Sequence, residues 1–163
     1  MKVLRGTGMA LMGAIILIFA AQAEEDGGLR RYTPSDIAEL GRGGPGAGIS
    51  GVSGIQTTVL SGDPSQSGLY SILVRVPAHK RIESHSHRDN RSATVVSGTW
   101  YFGYGTRFDE NSLKALPPGS FYTEPPGQPH FAQTFAEPVV VHITGYGPTD
   151  TTYVDKQADP RKP

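Results

Sequence analysis

From Gly51 onward the chain reads as a run of short β-prone segments separated by turn residues. Ile55–Leu60 is the first, closed by Ser61-Gly62-Asp63-Pro64. Leu69–Pro77 follows, with Ile72, Val74 and Tyr70 sharing one face of an alternating pattern. Period-two alternation marks strands with one buried face. Further strands are expected over Arg81–His87, Ser92–Ser97, Trp100–Tyr104 and Ser120–Thr123. Phe108–Leu116 reads as a turn or a single helical turn. Pro117-Pro118-Gly119 and Pro125-Pro126-Gly127 are tight corners. Phe131–Phe135 and Pro138–Thr144 suggest a hairpin around Ala136-Glu137, and Thr151–Val154 a last strand. Eight to ten short strands with almost no helix predict an all-β antiparallel barrel, sandwich or jelly roll.

The residues before Gly51 differ. Met1–Arg5 is basic, Met9–Ala21 is almost wholly apolar, and Ala21-Gln22-Ala23 precedes Glu24-Glu25. That is the layout of a cleavable signal peptide over residues 1–23. The apolar run is short for a membrane span, and a lipid anchor at the cut would need a cysteine, which the chain lacks. The expected location is periplasmic or secreted, with no stable membrane anchor after cleavage. Residues 24–50 form a Gly-rich extension in which Thr33 caps one short helix with Pro34 at its first position. Residues 51–155 form the single domain and 156–163 the tail, whose charged end Ala158–Pro163 is expected to fray.

Composition narrows the chemistry. Fifteen basic and 15 acidic residues balance, so nothing marks a nucleic-acid binder. With no cysteine, thiolate ligands, thiol nucleophiles and disulfides are excluded. The candidate chemistry lies in histidine. In His85-Ser86-His87, two residues of one strand face present two imidazoles to one point. His130 follows a Pro-Gly corner and could bring a third. Three neutral nitrogens with room left over suit an open transition-metal site.

These two segments resemble the paired motifs of the cupin superfamily. The first has the form His-x-His, three or four residues, Glu, six residues, Gly. The chain supplies His85, His87 and Gly98, with Arg91 where the Glu falls. The second has the form Gly, five residues, Pro-x-Gly, two residues, His, and Gly119, Pro125, Gly127 and His130 fill every fixed position. The chain looks most like small exported single-domain bacterial cupins with SGTWYFG, LPPGSFY and GYGPTDTTYV segments. The resemblance implies an antiparallel jelly-roll barrel whose mouth holds one divalent transition metal (Fe, Mn, Ni, Cu or Zn) on His85, His87 and His130. Many such proteins are dimers, and a strand-rich surface permits a homodimer.

Arginine cannot bind a metal, so position 91 leaves alternatives open. A three-histidine site, as in cysteine dioxygenase and some diketone-cleaving cupins, would leave adjacent positions for a small anionic substrate and dioxygen. Arg91 would then clamp the anion. In a decayed metal site, Arg91 would mark a binding cavity without chemistry; a non-catalytic barrel could instead hold a small ligand or sequester a metal. Glu83, two before His85, could also supply the missing carboxylate. His142, in Val139–Thr144, is a candidate base if its strand face looks into the barrel, and otherwise an ordinary strand histidine. Gln128 and Thr134 are placed to hydrogen-bond His130. Trp100, Tyr101, Tyr122 and Tyr146 are candidates for the cavity wall, with ordinary packing the stronger reading.

Overall fold

The alternation in the sequence is realised as two faces of apolar side chains pressed together. The computed structural model of the chain describes residues 28–44 and 46–162. Its strands are β1 (Gln56–Ser61), β2 (Gly68–Val76), β3 (Arg81–Ser86), β4 (Arg91–Ser97), β5 (Trp100–Tyr104), β6 (Lys114–Leu116), β7 (Phe121–Glu124), β8 (His130–Gln133), β9 (Val139–Gly147) and β10 (Thr152–Tyr153). They form two five-stranded sheets, ordered β1-β2-β9-β4-β7 and β10-β3-β8-β5-β6. Every pairing between these strands is antiparallel. The architecture is the all-β jelly roll expected from the sequence.

The core lies between the sheets. Strands β2 and β9 are in register so that Ile72 meets Ile143, Val74 meets Val141 and Val76 meets Val139. All six are buried, as are Ala93 and Val95 of β4 on the same face. Cross-strand β-branched pairs of this kind are the unit of sheet stabilisation. From the second sheet, Ile82, Trp100, Phe102, Leu116 and Ala132 close on them. The short helix also forms as expected. Pro34–Glu39 is capped by Thr33, with a reciprocal bond between the Asp36 carboxylate and the Thr33 N–H at 2.7 Å.

Three local expectations differ from the structure. Phe131–Phe135 and Pro138–Thr144 do not form a hairpin. Strand β8 pairs with β3 and β5, whereas β9 pairs with β2 and β4 in the other sheet. The Ala136-Glu137 turn is therefore a crossing between layers. Part of the segment expected as a turn, Lys114–Leu116, is an edge strand on β5. The charged tail is held rather than frayed: the Arg161 guanidinium donates to the Thr151 carbonyl at 2.9 Å and to the Asp159 carboxylate at 2.8 Å.

The extension also enters the barrel. Gly48, Ile49 and Ser50 line the central cavity. Thr151 Oγ1 donates to the Ile49 carbonyl at 3.2 Å, and the Tyr153 hydroxyl donates to the Ser50 carbonyl at 2.7 Å. These bonds lay the segment across one end of the two sheets as a strap.

Candidate metal centre

Strand pairing builds the centre. His85 of β3 and His130 of β8 are direct cross-strand partners, and their rings stand 4.5 Å apart. His87 lies one residue beyond β3, where its ring comes within 5.0 Å of His85 and 5.1 Å of His130. The corner that carries His130 is fastened to this loop: the Gly127 N–H donates to the His87 carbonyl at 2.8 Å. Gly127 has φ +69°, a left-handed backbone that glycine adopts without strain. One nitrogen from each ring lies within 4.8 Å of the others, and all three histidines are buried. The structure thus brings together the three residues that the sequence singled out.

The hydrogen bonds fix which nitrogens face inward. His85 Nδ1–H donates to the Glu83 carbonyl at 2.8 Å, His87 Nδ1–H to the Asp150 carbonyl at 2.5 Å, and His130 Nδ1–H to the Gln128 carbonyl at 3.0 Å. A carbonyl only accepts, so each Nδ1 carries the proton. In the neutral ring each Nε2 then carries a lone pair. Burial, with the neighbouring His130 adding to it, holds His85 down at about 3. Burial and the Arg91 charge hold His87 down at about 2. Burial lowers His130 as well. The Nε2 atoms of His87 and His130 are buried without a hydrogen-bond partner. Unprotonated, unpartnered imidazole nitrogens converging on one point fit a transition-metal ion, and the backbone carbonyls are the orienting partners that metal-ligating histidines generally have.

Arg91 and Glu124 complete the site. They face each other across β4 and β7, and Arg91 Nε donates to Glu124 Oε2 at 2.7 Å, with Nη2 on the same oxygen. Arg91 Nη1 donates to the Gly48 carbonyl of the strap at 2.8 Å. Each of the three guanidinium nitrogens is thus engaged by the protein, using three of the five N–H donors. Burial pushes the Glu124 carboxyl up, but the Arg91 charge outweighs it and holds Glu124 down at about 2. Glu124 Oε2 lies 3.6 Å from His87 Nε2, and Oε1 lies 3.8 Å from His130 Nε2.

Glu124 was not among the candidates read from the sequence. Its signal was its parity with Tyr122 on the buried face of β7, which ends one residue later than the pattern suggests. Glu83, which was a candidate, contributes only its carbonyl. Its side chain pairs with Arg81 at 2.6 Å. Strand β3 shifts register between Ile82 and His85, so residue parity does not carry across it.

His142 lies away from the centre. Val141 and Ile143 line the cavity, so His142 occupies the outer face of β9, where its Nε2 meets Ser71 Oγ at 2.6 Å. The condition for its being a base in the barrel is not met. Gln128 orients His130 through its backbone, not its side chain. Thr134 instead binds the Lys80 N–H at 2.9 Å and the Pro77 carbonyl at 2.7 Å. Trp100 and Tyr122 line the cavity, whereas Tyr101 packs edge-on to Phe135 and Tyr146 is exposed.

The cavity measures about 50 Å³. At roughly 10–15 Å³ per water-sized position, it has room for only a few small atoms beside the histidines. Its remaining wall is largely apolar, including Ile49, Val74, Phe102 and Ile143.

No protein-family model and no curated protein sequence matches the chain. Solved structures do. The polyketide cyclase RemF from Streptomyces resistomycificus superposes with a TM-score of 0.63 at 16% identity, covering 81% of this chain and 89% of that one. A sugar phosphate isomerase of the cupin superfamily from Silicibacter pomeroyi gives 0.53 at 17% identity, covering 69% and 74%. A cupin-2 domain protein from Rhodospirillum rubrum gives 0.51 at 15% identity, covering 64% and 68%. The chain therefore has the cupin fold, with a buried three-histidine cluster that could hold a metal ion.

Proposed function

We propose that the protein holds one divalent transition metal on the Nε2 atoms of His85, His87 and His130 and acts on a small organic anion admitted beside it. The pair of buried, unpartnered nitrogens on His87 and His130 carries this reading. An unsatisfied buried polar atom costs about 1–3 kcal/mol, and a ligated cation removes that cost. When bound, the metal supplies Lewis acidity. The carbonyls of Glu83, Asp150 and Gln128 hold the rings in place. Phe102, Ile49 and Ile143 give the pocket beside them an apolar wall. Arg91 and Glu124 cancel each other's charge, and the histidines are neutral. The positive charge that draws an anion is therefore the cation's own.

The named activities of two fold neighbours, a cyclase and an isomerase, do not share a reaction, so the chemistry is argued from the site. The most concrete version is a non-haem oxygenase. A second reading, a metal- or ligand-binding protein without catalysis, is favoured by the small size of the cavity. Elemental analysis of the wild type against His87→Ala tests the common ground. About one metal per chain is expected in the wild type, strongly reduced in the variant, and equal occupancy overturns the assignment. Oxygen uptake by the iron-loaded protein with small carboxylates, thiols and diketones then separates the readings. Tight metal binding without turnover favours the second.

We further propose export with cleavage after Ala23. The basic, apolar and small-x-small order of residues 1–23, which lie outside the described residues, supports it. An intact mass starting at Glu24 for protein recovered from the periplasm is the expected result.

A further inference from the structure

We infer that Glu124, reaching in from β7, is the fourth protein donor of the metal centre, and that Arg91 is the positioning residue that aims it. This rests on the three-histidine reading above. The key observation is a meeting of acceptors. The Nδ1–H bonds of His87 and His130 leave both Nε2 atoms as lone-pair acceptors. They face the carboxylate that Arg91 grips, with His87 Nε2 3.6 Å from Oε2 and His130 Nε2 3.8 Å from Oε1. Acceptor set against acceptor in a buried space is unfavourable, and a cation among them removes that cost.

The geometry is close to what one ion requires. Two donors on bonds of about 2.1 Å stand roughly 3.0–3.4 Å apart in octahedral or tetrahedral arrangements. The two Glu124 contacts exceed that span by less than about 1 Å. The two oxygens of Glu124 are also differentiated. Arg91 Nε and Nη2 both occupy Oε2, which leaves Oε1 beside His130 Nε2 to serve as a single-oxygen ligand.

Arg91 in turn is fixed from behind by the Gly48 carbonyl. The charges at two facing positions of β4 and β7 are thus arranged so that the arginine holds the carboxylate and the carboxylate meets the metal. A purely structural ion pair explains this less well. Buried pairs often stabilise a fold no better than apolar residues of similar size, and such a role gives no reason to set the carboxylate against two bare imidazole nitrogens.

The test is chelator-competition titration with Co²⁺ and Zn²⁺, together with the visible absorption spectrum of the Co²⁺ protein. Glu124→Gln keeps the shape but sets an amide against the guanidinium. The double variant Glu124→Leu/Arg91→Met therefore accompanies it, removing both charges so that neither is left buried alone. Both are expected to weaken Co²⁺ binding by about 10-fold or more and to change the ligand-field bands. Arg91→Lys, which keeps the carboxylate but loses the two-point grip, should shift the same bands while retaining more of the affinity. If both Glu124 variants match the wild type in affinity and spectrum while His87→Ala loses metal, Glu124 is not a ligand and the histidine reading stands alone. If His87→Ala also binds as the wild type does, the histidine reading fails and the fourth donor fails with it.

Discussion

His87 donates its Nδ1–H to the carbonyl of Asp150, 63 residues further along the chain, at 2.5 Å. The same Asp150 accepts the Arg88 N–H through its side chain at 2.9 Å. Its neighbour Thr149 donates to Asp89 Oδ1 at 2.6 Å, and the Tyr70 hydroxyl donates to Asp89 Oδ2 at 2.7 Å. The loop that carries His87 is therefore tied to the loop between β9 and β10 and to strand β2. The ring's orientation is a product of three distant parts of the chain.

Removing one of these ties should be felt in stability. Thr149→Val takes away one of the two side-chain donors to the buried Asp89 carboxylate. The expected loss is about 1–3 kcal/mol, read from urea unfolding. Adding Tyr70→Phe strips the second donor, and the double variant should be less stable than either single one. Wild-type midpoints for all three would show that Asp89 draws nothing from these hydroxyls.

The metal-free protein should be acid-sensitive in a defined window. His85 and His87 are held at about 3 and about 2, against 6.5 when unfolded, and His130 is also lowered. Below pH 6.5 the unfolded chain takes up protons that the native state refuses. Stability is thus fully present above that pH and falls as pH drops toward 3 and below. Glu124, held at about 2 against 4.5, adds to the loss below pH 4.5 with the same sign. Denaturant midpoints of the chelator-treated protein between pH 8 and 4 should decline steadily through pH 6. A flat profile would contradict the buried, neutral imidazoles.

His142 offers a contrast within the same residue type. It touches Ser71 on the outside of β9 and is not among the residues that line the cavity beside His85 and His130. His142→Asn should leave metal content at the wild-type level and cost no more than about 1 kcal/mol, whereas His87→Ala should lose the metal. Loss of metal from the His142 variant, measured by elemental analysis of the folded protein, would place it within reach of the centre after all.

The strap makes a separate prediction. Tyr153→Phe removes the hydroxyl that holds the Ser50 carbonyl and should cost about 1 kcal/mol. Amide hydrogen exchange across residues 46–52 should accelerate, while the core strands β2 and β9 exchange as before. Unchanged exchange would assign the strap's hold to Thr151 and Arg91 instead.

The sequence showed the strands whose apolar residues alternate, because period two survives wherever one face is buried. It also showed the histidines, because their spacing is local. What it hid depended on departures from regularity. The register shift in β3 breaks the parity that made Glu83 look like a partner of His85. The three residues of β6 are too few to show a period. Two β-prone runs on either side of a tight turn suggest pairing, yet β8 and β9 belong to opposite sheets. Glu124 gives little signal in the sequence because it abuts a Pro-Pro-Gly corner, and because only the folded β4–β7 register sets it opposite Arg91.

The strap bears on how far this chain can be shortened. A version beginning at Gly51 would keep all ten strands and look complete on a topology diagram. It would lack Gly48, Ile49 and Ser50, and with them one side of the pocket. Arg91 Nη1, Thr151 Oγ1 and the Tyr153 hydroxyl would each lose an acceptor. Such a minimal barrel would open its histidines to bulk water, so metal retention measured on it would describe a leakier vessel than the natural one.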